Sequence, residues 1–184
     1  MGLLDGVLKK LLRGTNITTE RAPAEAPWGG RRPDKAKYGT AGAPMPDLDA
    51  LVTDAEIRAV TGSSPVGEPR RNGPDGSDVD LGRYVIRESK LADGGEFLLG
   101  VSNCYSAEAA RLGMDRLAEY EKPLDGVGER ALVHVEKHPK QGTSEVGVTA
   151  LQGNFTVALV HTRTDGATDP APLAELLRTV LTRL

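Results

Sequence analysis

Residues 1–14 show the clearest separation of apolar and polar positions in the chain. At the 100° step of an α-helix, their aliphatic side chains all fall within one half of the helical circle. The other half is polar and carries Lys9, Lys10 and Arg13. The pattern predicts an amphipathic helix that docks through an apolar leucine stripe. The stripe consists of Leu3, Leu4, Val7, Leu8, Leu11 and Leu12.

Residues 15–46 show no apolar periodicity and are rich in proline, glycine and charged side chains. Such a composition buries too little apolar surface to offset the entropy of ordering, so we predict a disordered linker. A basic aromatic patch within the linker is a candidate for a secondary docking motif. The alternative is a solvated linker with an incidental aromatic residue. The patch consists of Trp28, Arg31, Arg32 and Tyr38.

A folded domain is expected over residues 47–184. A capping box at Thr53 and Glu56 predicts a short helix over 53–61. The polar segment 63–77, rich in proline and glycine, predicts a loop. Alternation of apolar and polar positions then predicts five strands. Their ranges are 78–88, 96–104, 130–136, 145–151 and 155–162.

Two longer helices are predicted between and after these strands. Ser106 can cap a helix that runs to about Tyr120, with Tyr120 facing inward. The last helix has Asp169 as its cap and Pro170 in its first turn. Its apolar stripe is expected to lie on the sheet. That stripe consists of Leu173, Leu176, Leu177, Val180, Leu181 and Leu184.

The predicted order of elements in the domain is α-β-β-α-β-β-β-α. Short hairpin connections make the sheet mostly antiparallel, and the apolar stripes of the helices pack against it. The predicted fold is therefore an α+β sandwich with a sheet of about five strands. The tethered N-terminal amphipathic helix precedes it.

The charge balance and the single cysteine limit which binding partners and which cellular compartment the sequence allows. The chain has 184 residues with 23 basic and 26 acidic side chains, a net charge of −3, which argues against nucleic acid as the main partner. Cys104 is the single cysteine, which excludes an intrachain disulfide. The N-terminus does not fit a signal peptide, and no apolar run could span a bilayer. We expect a cytoplasmic protein, with peripheral contact to the inner face of the membrane left open.

Two short motifs carry a resemblance to a known group of proteins. Residues 51–62 (LVTDAEIRAVTG) and 124–131 (LDGVGERA) resemble secreted actinobacterial lipoproteins of unknown function and the extracellular sensor domains of some actinobacterial kinases. The resemblance covers about residues 48–184. It implies an α/β sandwich that binds a ligand or partner without known catalysis. The chain departs from these families because it lacks the acylated cysteine of the lipoprotein signal and a pair of domain cysteines.

No motif in the chain indicates catalysis, a metal or a cofactor. His134 and His138 do not share a helical face, and His161 lies on a separate predicted strand, so each is expected at an edge or a turn. If a metal were bound, His134 and His161 on neighbouring strands would be the candidates. Phosphate-binding glycine loops and nucleophile motifs are absent. We therefore expect a protein that is not an enzyme and that needs no cofactor.

Two functions remain open at this point. The first is a non-catalytic adaptor or cargo-type protein that docks through residues 1–14 to a protein assembly or to an anionic membrane surface. The second is a ligand-binding, sensor-like domain with the N-terminal helix as a peripheral membrane anchor. Self-association of the helix and its return onto its own domain are further alternatives. A polar loop at 63–77 beside an apolar cleft would favour the second function, whereas a closed, packed domain would favour the first.

Overall fold

An antiparallel sheet of eight strands forms the centre of the structure. The computed structural model describes residues 45–71, 77–79 and 82–184. The strands are Pro65–Arg71 (β1), Ser77–Val79 (β2), Gly82–Leu91 (β3), Glu96–Cys104 (β4), Lys122–Leu124 (β5), Arg130–His138 (β6), Thr143–Gln152 (β7) and Phe155–Arg163 (β8). Across the sheet the order is β1-β3-β4-β8-β7-β6-β5, and β2 also pairs with β3. The predicted α+β class with an antiparallel sheet is confirmed, but the predicted count of about five strands is too low.

The additional strands β1 and β5 lie at the two edges of the sheet, and both contain proline. An edge strand tolerates proline because one row of its backbone groups needs no partner strand. The prediction of a loop over 63–77 is therefore wrong for the part that forms β1. The predicted strand 78–88 is divided between β2 and β3, with Val79 opposite Gly82. Exposed edge strands lack strong apolar alternation, which is why the hydrophobic pattern misses them.

Four described helices accompany the sheet: Leu48–Leu51 (α1), Asp54–Thr61 (α2), Ala107–Leu117 (α3) and Ala171–Leu181 (α4). The capping box of α2 is confirmed, because Thr53 Oγ1 accepts from Glu56 N and Glu56 Oε2 accepts from Thr53 N at 2.9 Å. Arg183 donates to Glu56 Oε1 at 2.6 Å. This bond lowers the pKa of Glu56 to about 2 and joins the end of the chain to α2.

The ends of the two longer helices differ from their predictions. Ser106 caps α3 as expected, but the helix ends at Leu117, and Tyr120 is 83% exposed rather than inward-facing. In α4 the N-cap position belongs to Pro170, and Asp169 accepts from Ala171 N at 2.9 Å. The apolar stripe of α4 is buried as far as Val180, Leu181 is partly buried, and Leu184 lies beyond the helix and is exposed. None of the described helices is long and apolar enough to cross a bilayer.

The helices cover the two faces of the sheet unequally. The core face packs against α1, α2 and α4, and its buried residues include Leu51, Ile57, Phe97, Leu99, Leu159 and Leu177. The opposite face, called the α3 face, packs against α3 through a smaller cluster. That cluster consists of Cys104, Ala109, Ala110, Met114, Leu117, Leu132 and Leu151. Cys104 is buried there as expected, and burial raises the pKa of its thiol to about 11.

Candidate functional site

The residues predicted to dock lie outside the described part of the chain. These are the leucine stripe with Lys9, Lys10 and Arg13, and the basic aromatic patch with Trp28, Arg31, Arg32 and Tyr38. Their docking role stays a prediction. Met45, close to the end of the predicted linker, packs against the core of the domain. The candidate site within the described residues is therefore sought on the α3 face, which one helix covers in part.

Three ionisable side chains meet on the α3 face and form what we call the glutamate–histidine cluster. They are Glu121, which follows α3, His134 on β6 and Glu145 on β7. His134 Nε2 lies 2.6 Å from Glu145 Oε1, and His134 Nδ1 lies 3.7 Å from Glu121 Oε1. Glu145 is 2% exposed. A buried carboxylate is costly unless it is paired, so the imidazole supplies the contact that makes this burial tolerable.

Gly147 provides the space that the imidazole occupies. In the antiparallel register, His134 is the partner of Gly147, and both lie on the same face as Glu145, two residues earlier on β7. A Cβ atom at position 147 would overlap the His134 ring. The ring therefore lies across a strand position that has no side chain, and from there its Nε2 reaches Glu145.

The imidazole of His134 can donate one hydrogen bond from Nε2 to the carboxylate of Glu145. In the part of the chain that the structure describes, no three His, Cys, Asp or Glu side chains are arranged to hold a metal ion. The prediction that His134 lies at an edge or turn without converging acids is wrong. The sequence analysis missed Glu121, Glu145 and Gly147. The i, i+2 spacing of Glu145 and Gly147 shows that these two share a face of a strand, but the sequence carries no such signal for Glu121.

His161 lies on the core face, opposite the glutamate–histidine cluster. Its partner on β7 is Val146, whereas the partner of His134 is Gly147, so the two histidines point to opposite sides of the sheet. They also sit on β6 and β8, with β7 between them, so the proposed pair on neighbouring strands does not exist. His161 is buried within β8 rather than at an edge or turn, and its Nε2 has no hydrogen-bond partner among the residues that the structure describes.

Burial of His161 makes the stability of the domain depend on pH. Burial, helped by Arg163, lowers the pKa of His161 to about 4, against the weaker opposing effects of Asp93 and Asp165. Between the unfolded value of 6.5 and this lower value, the unfolded chain binds the proton and the folded chain does not. The free energy of unfolding therefore falls as the pH falls through this window.

Between neutral and acid pH, we expect the free energy of unfolding to fall by about 1–3 kcal/mol less in the variant His161→Leu than in the wild type. Leucine fills a similar volume and does not titrate. The measurement is urea unfolding of the wild type and the variant at several pH values between neutral and acid. His138→Gln is the matched control, since His138 lies at the end of β6 and is only partly buried. Equal pH slopes for the wild type and His161→Leu would contradict the prediction.

A second feature of the α3 face, called the apolar patch, consists of Ile86, Leu98, Ala158 and Val160. Leu98 is paired with Val160, and Gly100 is paired with both Ile86 and Ala158. Leu98 and Gly100 lie an even number of residues before Cys104 on β4, so they and their partners on the neighbouring strands lie on the α3 face. The four side chains are 7%, 0%, 1% and 2% exposed. None of them belongs to the core-face cluster or to the cluster beneath α3.

Comparison with known proteins finds similarity among the solved structures. No protein-family model and no curated protein matches the chain. A search of solved structures finds the extracellular domain of PknH from Mycobacterium tuberculosis, with 13% sequence identity and a TM-score of 0.47. The match covers 77% of this chain and 99% of that one. At this low identity and TM-score, the function has to be inferred from the chain's own residues.

Proposed function

We propose that this chain is a non-catalytic adaptor or cargo-type protein that docks to a protein assembly through residues 1–14. The observation that supports this function most directly is the closed core face. Phe97, Leu99, Leu159 and Leu177 are fully buried there beneath three helices. The polar segment that would have bordered a ligand cleft contributes the edge strand β1 instead. On the core face, the described residues therefore resemble the packed domain that the adaptor hypothesis requires.

The leucine stripe favours a protein partner over a bare membrane on energetic grounds. Six aliphatic side chains contribute about 1.5–3 kcal/mol each when they are fully buried, but a membrane interface buries only part of each. Ordering about a dozen residues costs roughly 1 kcal/mol per residue. The remainder is comparable to one weak lipid anchor, so stable attachment needs a fitted groove or several copies acting together.

The second candidate is a ligand-binding domain with residues 1–14 as a peripheral membrane anchor. The buried Glu145 and its bond to His134 support it, because buried ionisable groups often mark binding sites. This function requires the N-terminal segment to bind anionic lipid. Lys9 and Lys10 would then contribute through screened electrostatic attraction, so the binding would weaken with added salt.

The experiment uses the full chain with one of two substitutions, Leu8→Asp in the leucine stripe and Gly6→Asp on the polar side of the segment. Both add the same charge, but only the first places it in the stripe. We expect Leu8→Asp to reduce co-purification of the partner assembly by about tenfold or more, since losing one buried leucine removes roughly 1.5–3 kcal/mol. Gly6→Asp should bind as the wild type does. The measurement is quantitative pull-down.

Flotation with vesicles of phosphatidylglycerol and phosphatidylcholine separates the two candidates. The adaptor function predicts little flotation of the wild type, with no further loss in the double variant Lys9→Ala/Lys10→Ala. Strong, salt-sensitive flotation that this double variant abolishes would favour the membrane anchor instead. Equal pull-down by the wild type and Leu8→Asp would contradict the adaptor function.

A further inference from the structure

The two edges of the sheet differ in how they present their backbone groups. At one edge, β5 pairs only with residues 131–133 of β6, so residues 134–138 have no partner strand on that side among the residues that the structure describes. We call this stretch the open edge. At the other edge, β1 carries Pro65 and Pro69 and has an irregular register against β3. Prolines and bulges block the addition of a further strand, and the open edge contains neither.

The register of the sheet shows which backbone groups the open edge presents. Cys104 N donates to Asn154 O at 2.8 Å, so the even-numbered residues of β4 bond to β8. Through the continuous registers of β8, β7 and β6, this alternation directs the N–H and C=O groups of Val135 and Lys137 away from β7. Pro123 agrees with the alternation, because it lacks an N–H and stands at a position of β5 that makes no bond to β6. Val135 and Lys137 therefore each offer a donor and an acceptor to an incoming strand.

The side chains of the open edge on the core face are apolar at the centre and basic around it. Val135 is 47% exposed, although its partner on β7, Val146, belongs to the core. Lys122 and Lys137 lie on the same face on either side of Val135, and Lys140 lies in the turn after β6. All three lysines are exposed, and none forms an ion pair with a residue that the structure describes. The described chain thus supplies no counter-charge for these lysines and leaves Val135 half uncovered.

The nearest carboxylates lie on the other face of the sheet. Glu121 is on the α3 face, where its Oε1 lies 3.7 Å from His134 Nδ1. Glu136 belongs to the same face, because its partner on β7 is Glu145. On the core face, the row beside the open edge carries positive charge only, which an acidic partner would complement.

A second copy of this chain fits the open edge poorly. Outward-facing residues have to oppose each other, so two antiparallel copies can be centred on Val135, Glu136 or Lys137. Centring on Glu136 or Lys137 sets like charges directly opposite each other, which is destabilising. Centring on Val135 sets Lys137 opposite Val133, whose outer side β5 already occupies. The charges therefore favour a different chain as the occupant.

We propose that the open edge binds an extended acidic peptide by strand addition, in line with β5 and antiparallel to β6. Backbone hydrogen bonds to Val135 and Lys137 hold the peptide, and its alternate side chains give specificity. An apolar side chain of the peptide lies beside Val135, and an acidic side chain two residues earlier lies beside Lys137. This docking surface belongs to the folded domain and goes beyond the proposed docking of residues 1–14, on which it does not depend.

The test measures the fluorescence anisotropy of a labelled peptide, Thr-Glu-Thr-Glu-Thr-Val-Thr, with the full chain at low salt. In the matched peptide, lysine replaces both glutamates. We expect the acidic peptide to bind about tenfold more tightly or better, and added salt to weaken its binding, because the lysines that attract it are exposed. In NMR, the amide groups of Val135 and Lys137 should gain protection from hydrogen exchange when the acidic peptide is added.

Two variants test the charge and the backbone of the open edge separately. Lys137→Glu should bind the acidic peptide about tenfold more weakly and the lysine peptide more tightly, because the charge beside the peptide is reversed. Arg58→Glu makes the same change of charge at an exposed position of α2, which contacts β1, and should bind both peptides as the wild type does. Val135→Pro removes an outward donor and should also weaken binding about tenfold. Urea unfolding checks that each variant is folded.

Equal binding of the two peptides to the wild type, or no binding at millimolar peptide, would overturn the proposal. Equal binding of the acidic peptide to the wild type and Lys137→Glu would also overturn it, since this variant keeps the backbone of the edge. Sedimentation of the wild type as a dimer that Val135→Pro dissociates would identify a second copy as the occupant instead. Leu8→Asp should bind the acidic peptide as the wild type does, so this result and the pull-down result can fail independently.

Discussion

Replacing His134 by alanine is expected to lower the free energy of unfolding by about 3–5 kcal/mol, because it leaves the carboxylate of Glu145 buried without its imidazole partner. The bond between His134 Nε2 and Glu145 Oε1 spans 2.6 Å, and Glu145 is almost inaccessible to solvent. Urea unfolding at neutral pH measures the loss. The double variant His134→Ala/Glu145→Gln should recover part of it, since the buried charge is then gone.

Gly147→Ala tests the same cluster from the opposite strand. Its Cβ atom would displace the His134 ring, so this variant should lose much of the same bond. The costs of His134→Ala and Gly147→Ala should therefore not add, and the double variant should be only slightly less stable than the worse single variant. His138→Ala, on the same strand as His134, is the control and should cost less than about 1 kcal/mol. Additive costs for the two single variants would contradict the shared contact.

Gly128→Ala is expected to destabilise the domain by about 2–4 kcal/mol through two separate effects. Gly128 has φ +58°, which an alanine adopts with strain of about 1 kcal/mol. A Cβ atom there would also lie 2.6 Å from Leu151 O, a backbone atom that accepts from Glu129 N at 2.9 Å. The backbone of β7 would have to move, and β7 lies between two other strands of the sheet. Thermal and urea unfolding measure the effect.

Gly126→Ala is the matched control for Gly128→Ala. Gly126 also has a positive φ, +74°, but the nearest atom to its Cβ position is Arg178 Nη2 at 3.9 Å. We expect it to cost about 1 kcal/mol from backbone strain alone. Equal losses for the two variants would show that the approach to Leu151 has no effect. The pair therefore separates the cost of the positive φ, which both glycines share, from the cost of the close approach to Leu151, which only Gly128 makes.

Features that depend on neighbouring residues in the chain could be predicted from the sequence. The capping box of α2, the Ser106 cap of α3 and the apolar stripe of α4 follow from contacts within a few residues, and each is present. The α+β class follows as well, because apolar alternation reveals every strand that has a buried face. The end of α3 could not be predicted in this way. Tyr120 continues the apolar spacing, but the helix ends before it, at Leu117.

The glutamate–histidine cluster could not be found by the same argument. Its members stand at positions 121, 134 and 145, and only the register of β6 against β7 brings Glu145 to His134. A shift of one residue would have sent one of them to the core face. The opposite orientation of His134 and His161 has the same cause, because one step along β7 reverses the side of the sheet.

The sequence by itself determined the local elements, the class of the fold and the amphipathic pattern of residues 1–14. These depend on helical and strand periodicity, on caps and on composition, all of which are properties of short stretches of chain. The tertiary structure decided the edge strands, the burial of His161, the pairing of Glu145 with His134 and the existence of the apolar patch. Those features depend on which strands become neighbours and in which register, and this is decided by packing between residues far apart in the chain.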